Sequence, residues 1–280
     1  MLKRSVIFGM LLLASLPVSA GGWTKSLSAA QAEAKKKNQI IFVDLFANWC
    51  GWCHRMEREV FPTEKFQKTT RNMVLLRVNT EDGGEGSRLA QQYRVTQLPT
   101  FLMLAPDGML VGLIHGYAPA EPFSQRVAEQ EQKYKNFLKE VASEKVFAND
   151  YQRRLNLAVD YVSRRGYKSG DSRLRSIIAT KNIPSDIRDA AYYSLGDSLH
   201  EQKRYDEAMK LLNEFFRIQT KGTSLEKARL LLGQLHVDRG NYKAALAELQ
   251  KFKRTFPRSD LLPQVERILP QLEHAAARTN

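Results

Sequence analysis

The sequence predicts a mixed α/β domain followed by an all-helical one, and three observations carry that prediction. Up to about Tyr134, short runs of β-branched and aromatic residues alternate with helix-like stretches. After about Tyr134 strand formers thin out and the sequence repeats at an offset of 37 residues. The length, 280 residues, is too great for one ordinary core and suits two domains. The expected boundaries are 1–20, 21–135 and 136–280.

Residues 1–20 read as a segment removed before folding. Lys3 and Arg4 form a basic start, an apolar stretch runs from Val6 to Leu16, and Val18-Ser19-Ala20 closes it in the small-x-small pattern of a signal-peptidase site. The apolar stretch falls short of the ~20 residues a membrane span takes, so a cleaved export signal is expected rather than an anchor. That implies an oxidising compartment, most simply a bacterial periplasm.

The α/β elements follow in order. Ser26 to Lys37 predicts a helix capped at Ser28, with Lys35-Lys36-Lys37 suiting the dipole at its end. Ile40 to Phe46 is a buried strand, and Arg55 to Phe61 a helix ended by Pro62. Met73 to Asn79 is a second strand, Glu81 to Gly84 a loop, Ser87 to Tyr93 a helix and Thr100 to Leu104 a third strand. Ala105-Pro106-Asp107-Gly108 is a turn into a hairpin partner over Met109 to Ile114, and Pro119 opens a long helix. The order is αβαβαββα: a central mixed sheet flanked by helices, with the helix-separated strands expected parallel and the hairpin adding an antiparallel edge.

In the helical part Tyr193-Ser194-Leu195-Gly196 matches Leu230-Leu231-Leu232-Gly233. The same offset takes Tyr205 to Tyr242, Ala208 to Ala245, Leu212 to Leu249 and Phe215 to Phe252. A weaker copy places Tyr167, Gly170 and Leu174 before Tyr205, Ala208 and Leu212. Small residues let paired helices approach, and the leucines and aromatics fill the space between them. A closing helix is expected over Leu261 to His274, kinked or broken by Pro270.

Charge is uneven. Residues 21–135 hold 15 basic and 12 acidic residues, residues 136–280 hold 26 and 18. The excess fits a solvated helical surface, and nucleic acid is not an expected partner. No Ser-His-Asp set, phosphate loop or dinucleotide fingerprint appears. The histidines are scattered and only His54 neighbours a cysteine, so no metal site is expected.

Two cysteines sit together in Trp49-Cys50-Gly51-Trp52-Cys53. A loop this small adds little stability as a clip, but the pair can cycle between dithiol and disulfide. Cys50 falls between a strand end and a helix N-terminus, where unpaired N–H groups and the helix dipole favour a thiolate. It is the expected nucleophile, and Cys53, one turn on, the resolving thiol. Gly51 keeps the backbone bare beside an exposed sulfur, and Trp49 and Trp52 offer flat apolar surface for a peptide. His54 reads as a solvated residue on the same helix, with help to the thiolate, when protonated, as the alternative.

Residues from about 25 to 135 resemble the thioredoxin superfamily. The resemblance rests on Phe42 to Cys53, on Arg77-Val78-Asn79, on Leu98-Pro99-Thr100-Phe101 and on Gly116, in that order and spacing. In detail it looks most like secreted domains such as the C-terminal domain of thiol:disulfide interchange proteins. The helical part is similar to tetratricopeptide proteins of the bacterial cell envelope. The fold implied is a thioredoxin fold joined to a tetratricopeptide-like solenoid.

The resemblance makes Pro99 the family's cis-proline, its loop with Leu98 facing Cys50 and presenting backbone to a peptide. It makes Asp44 a buried acid beneath Cys53, with a pKa raised by desolvation and a part in proton transfer. Arg77 stands where the family has lysine, and Gly116 where a small residue borders the peptide groove. It implies an exported protein-disulfide reductase whose redox centre is the cysteine pair alone, with no other cofactor. Its partners would be disulfide-containing or misoxidised envelope proteins and a membrane thiol reductant, with a further protein on the repeats. Gly-Trp between the cysteines, where ordinary thioredoxins have Gly-Pro, leaves the direction of exchange open. The alternative is an envelope scaffold in which this domain is a recognition module.

Overall fold

The structure, a computed structural model, describes residues 22–218 and 223–278. The export segment expected over residues 1–20 lies outside the described residues. Among the described residues no helix is long and apolar enough to cross a membrane. Two compact units divide the chain: one runs to Gly108 and takes in Leu113–Ala128, the other holds Met109–Gly112 and everything from Glu129.

The first unit is built on a four-stranded sheet in the order β2-β1-β3-β4, from β1 (Ile40–Phe46), β2 (Met73–Asn79), β3 (Thr100–Leu104) and β4 (Leu110–His115). The helices are α1 (Leu27–Lys37), α2 (Gly51–Glu59), α3 (Glu64–Thr70), α4 (Glu85–Gln92) and α5 (Ala120–Ser143), the last running on into the second unit. Ile41 to Leu45 are all buried, so β1 is covered on both faces. On one face Phe42, Phe66, Phe101 and Phe123 meet with ring centroids 4.7–6.2 Å apart, an aromatic core worth about 1.5–3 kcal/mol per buried ring.

The structure corrects four expectations here. Ser26, not Ser28, caps α1: its hydroxyl accepts from Ala29 N–H at 3.3 Å, and Ser28 already lies inside the helix. The helix read from Arg55 begins four residues earlier at Gly51, which leaves Cys50 at its N-terminus as expected, now as the cap. Helix α3 was not foreseen; it is short, and its start signal is Thr63, whose hydroxyl accepts from Phe66 N–H. Finally, β1 and β2 are parallel as expected, but β3 runs antiparallel to β1. The reason is length. An eight-residue α4 spans about 12 Å, roughly half of a seven-residue strand. The chain therefore re-enters the sheet at the end it left: Asn79 lies opposite Phe46, and Thr100 opposite Leu45.

Apart from residues 109–112, the regular structure among the described residues of the second unit is all helix. It contains α6 (Tyr151–Ser163), α7 (Tyr167–Ala179), α8 (Ser185–Glu201), α9 (Tyr205–Ile218), α10 (Thr223–Asp238), α11 (Tyr242–Thr255) and α12 (Leu262–Ala277). Helices pair as α6 with α7, α8 with α9 and α10 with α11, the pattern the offset of 37 predicts. Ala208, Leu212 and Phe215 are buried in one pair, and Ala245, Leu249 and Phe252 in the next. A Cβ on Gly196 would stand 2.8 Å from Leu212 Cδ2, and one on Gly233 3.0 Å from Leu249 Cδ2. The repeated glycines are thus contact points between helices. Pro270 does not break α12. Its missing N–H and ring cost a helix interior about 3 kcal/mol, which burial of Val265, Leu272 and Ala276 along the same helix offsets.

Candidate active site

Strand β1 ends at Phe46, and the chain turns through Ala47 to Trp49 into α2, with Cys50 N–H donating to Ala47 O at 3.0 Å. Cys50 is the N-cap of α2 and is disulfide-bonded to Cys53. Cys53 N–H points at Cys50 Sγ, 3.1 Å away, and His54 N–H at Cys50 O, 3.2 Å away. The sulfur of Cys50 therefore sits at the positive end of the helix with an N–H already aimed at it, an arrangement that favours a thiolate over a thiol.

The expected exposed sulfur is not found. Cys50 is only 3% exposed and Cys53 is fully covered; Ala47 and the pair form one cluster, with Phe46 and Leu98 packed against it. What is exposed is the pair of indoles, Trp49 at 69% and Trp52 at 54%. Large aromatics left in solvent on either side of a buried disulfide are poor for solubility and good for contact with a peptide. Trp49 is steadied by its Nε1–H bond to Glu81 Oε1, 2.7 Å.

Leu98-Pro99 is a cis peptide, as the sequence leads one to expect. Its loop is held at both ends. Thr100 Oγ donates to Gln97 O at 2.7 Å and accepts from His115 Nδ1 at 2.9 Å, and Gly116 N–H donates to Pro99 O at 2.9 Å. In the sequence Thr100 figures only as part of the segment around Pro99 and His115 only as a scattered histidine; nothing there links the two. Gly116 has φ +78° and open space where a Cβ would be, so its backbone conformation, not a tight groove, calls for glycine. Gly51 also faces open space.

Asp44 is wholly buried in β1, with Arg77 as its register partner on β2. Arg77 Nε lies 3.1 Å from Asp44 Oδ2. Neither carboxylate oxygen has a partner in hydrogen-bond geometry, so the contact pairs charge without a well-formed bond. Arg77 also binds Glu57 Oε1 at 2.6 Å and lies over the Phe46 ring, 4.4 Å from its centroid. Burial pushes the Asp44 carboxyl up to about 7; Arg77 pulls it down and Glu57 pushes it up, both by less. The raised value and its cause are those expected for a buried acid at this position, and the arginine standing where the family has lysine only moderates them. Glu57 itself is held below the usual carboxylate range by its bond from Arg77.

His54 is turned towards Asn48 and Glu57: its Nε2 donates to Asn48 O at 2.9 Å, and Nδ1 lies 3.8 Å from Glu57 Oε2. A pocket of about 590 Å³ opens beside this network, lined in part by Phe46, His54, Glu57, Arg77 and Asp82. Water entering it reaches Arg77 and Glu57, the neighbours of Asp44. Among the described residues no cluster of His, Cys, Asp and Glu has the form of a metal site.

Residues 27–131 match the thioredoxin-like domain family, and residues 189–221 and 227–259 each match a tetratricopeptide repeat family. The thiol:disulfide interchange protein DsbD of Pseudomonas fluorescens is 32% identical over 83 residues, 29% of this chain and 14% of that protein. DsbD of Pasteurella multocida is 31% identical over 96 residues, 33% of this chain and 17% of that protein. The chain thus spans about one sixth of the curated relatives it matches. Among solved structures, the oxidised C-terminal domain of DsbD from Neisseria meningitidis is 14% identical, with a TM-score of 0.34, covering 39% of this chain and 99% of that one. The chain joins a thioredoxin-like domain bearing a Cys50–Cys53 pair to a region of tetratricopeptide repeats.

Proposed function

We propose that this protein is an exported thiol–disulfide oxidoreductase that reduces disulfides in envelope proteins. The observation that carries the reading is the Cys50–Cys53 disulfide at the cap of α2, with Cys53 N–H directed at Cys50 Sγ. In the reduced enzyme the Cys50 thiolate attacks a substrate disulfide. That S–S bond breaks, a mixed disulfide to Cys50 forms, and one substrate thiolate leaves. The Cys53 thiolate then attacks Cys50 Sγ, releases the second substrate thiol and closes the Cys50–Cys53 disulfide. Two electrons pass to the substrate, and a membrane dithiol reductant resupplies them.

Asp44 takes the proton of Cys53 in the second step. A carboxyl pushed up to about 7 is matched to proton transfer near neutral pH. Trp49 and Trp52 hold apolar side chains of the substrate, and Leu98, Pro99 and Gly116 present backbone to it in strand fashion. Gly51, Arg77 and His54 support the site. In this reading residues 1–20 are the export signal, 21–135 the catalytic domain and 136–280 the partner-binding repeats, and the protein works in the periplasm. The relatives named for thiol:disulfide interchange support the chemistry. A groove of about 380 Å³ among α8, α10, α11 and α12, with Leu230, Val237, Leu261, Val265 and Ile268 in its lining, supports a protein partner on the repeats.

The test is reduction of insulin disulfides by residues 21–280 with dithiol supplied. Activity lost in Cys50→Ser and Cys53→Ser is expected. No activity, or activity indifferent to Cys50→Ser, sinks the reading and leaves the scaffold alternative. The measured potential of the pair sets the direction: a value near about −270 mV supports a reductase and one near about −120 mV an oxidant.

A further inference from the structure

Trp52 is exposed yet not free. It stands at the second position of α2, and Arg55, one turn on, lies on the same helix face. The Arg55 guanidinium carbon is 5.4 Å from the Trp52 ring centroid and 4.6 Å from that of Tyr117. The Trp52 and Tyr117 rings are themselves 5.2 Å apart, tilted by 34°. Both polar ends converge on one acceptor: Arg55 Nε donates to Glu59 Oε2 at 2.8 Å, and Tyr117 Oη donates to the same oxygen at 2.9 Å. Bonds from Arg55 and Tyr117 hold the Glu59 carboxyl below the usual range, so the acceptor stays ionised at neutral pH.

Tyr117 comes from the other side of the site. It follows Gly116, whose N–H is bonded to Pro99 O, the carbonyl of the cis-proline. The cluster therefore ties the helix that carries the cysteines to the loop that faces them. As a contribution to stability it is small, since exposed ion pairs and cation–π contacts are each worth little. Its consequence lies in order. An indole already held in place loses less side-chain freedom when a peptide docks on it than a freely rotating one.

We propose that Arg55, Tyr117 and Glu59 are positioning residues that clamp Trp52 as a preformed platform for an aromatic or aliphatic side chain next to the substrate's cysteine. The proposal rests on the oxidoreductase reading above. It deepens that reading by naming a substrate preference and the residues that set it. Arg55 stacks both rings and spans to Glu59. Tyr117 contributes a ring and one hydrogen bond. Glu59 aligns the two.

The experiment compares residues 21–280 as wild type, Tyr117→Phe, Tyr117→Ala and Arg55→Gln on three disulfides: a peptide with Phe beside the cysteine, its Gly counterpart, and glutathione disulfide as a small probe. KM for the Phe peptide should rise about 3-fold in Tyr117→Phe and about 5- to 10-fold in Tyr117→Ala and Arg55→Gln, as expected for one side chain left to be ordered on binding. The Gly peptide, kcat and the glutathione disulfide rate should shift less than 2-fold. In parallel, with 5-fluorotryptophan incorporated, the fluorine resonance of Trp52, assigned by its loss in Trp52→Phe, should move in Tyr117→Ala while that of Trp23 stays. An unmoved Trp52 resonance, unchanged KM in all three variants, or equal losses on all three disulfides overturns the clamp while leaving the oxidoreductase reading intact. A wild type inactive on every disulfide overturns both.

Discussion

The two units differ in how they hold a buried carboxylate and in whether they leave large aromatic rings in solvent. In the helical repeats the rings of Phe215 and Phe252 are inside, and the buried Asp171 is fully engaged. It accepts from Ser198 Oγ at 2.5 Å and from Gln202 Nε2 at 2.9 Å, with Arg204 Nη1 at 3.4 Å. In the thioredoxin-like unit the indoles of Trp49 and Trp52 are outside, and the buried Asp44 has an ion partner but no well-formed hydrogen bond. A satisfied buried carboxylate serves the fold; an under-satisfied one is a reservoir of proton affinity. The difference marks which unit is built to pack and which to react.

Replacing the two aspartates should therefore shift stability in opposite directions. Asp44→Asn should stabilise the first unit by about 2–4 kcal/mol at pH 8, because it removes a charge whose folded-state pKa is about 7 against an ordinary 3.8. Arg77 is not stranded by the change, since Glu57 holds it at 2.6 Å. The sign with pH follows from the raised value. Between about 4 and 7 the folded state holds a proton that the unfolded state has lost, so wild-type stability falls as pH rises through that window and levels off above it. The gain from Asp44→Asn should shrink towards pH 4. Denaturant unfolding across pH reads both, and a gain independent of pH refutes the assignment.

Asp171→Ala should instead destabilise the second unit by about 1–3 kcal/mol, because it strips a fully buried Ser198 hydroxyl of its acceptor. A neutral result in unfolding experiments would mean the bond adds nothing net. The smallest contrast concerns glycine. Gly196→Ala drives a methyl to 2.8 Å from Leu212 Cδ2 and should cost about 1 kcal/mol after the helix-propensity gain. Gly51→Ala, on a helix in open space, should be neutral or stabilising by up to about 1 kcal/mol. Reversed order in thermal melts breaks the comparison.

How much was legible from the sequence follows the same division. The repeats announced themselves because each packing residue recurs 37 positions on, and helix pairs are local. The cysteine pair and the strands around it were equally plain. What escaped depends on tertiary context. Tyr117 meets Arg55 across more than sixty residues of chain, and no local pattern links them. The direction of β3 depends on how far α4 carries the chain, and α3 is too short for periodicity to reveal. The raised Asp44 pKa was legible through the resemblance, but the Glu57 carboxylate that shares Arg77 with it was not, because that contact joins a helix to a strand.

The central claim is that Cys50 attacks and Cys53 resolves. Its most direct test is covalent trapping with residues 21–280 and a disulfide peptide. Cys53→Ala should accumulate a mixed disulfide at Cys50 that wild type clears, and Cys50→Ala should accumulate little. Equal trapping by the two variants, or more by Cys50→Ala, would contradict the account.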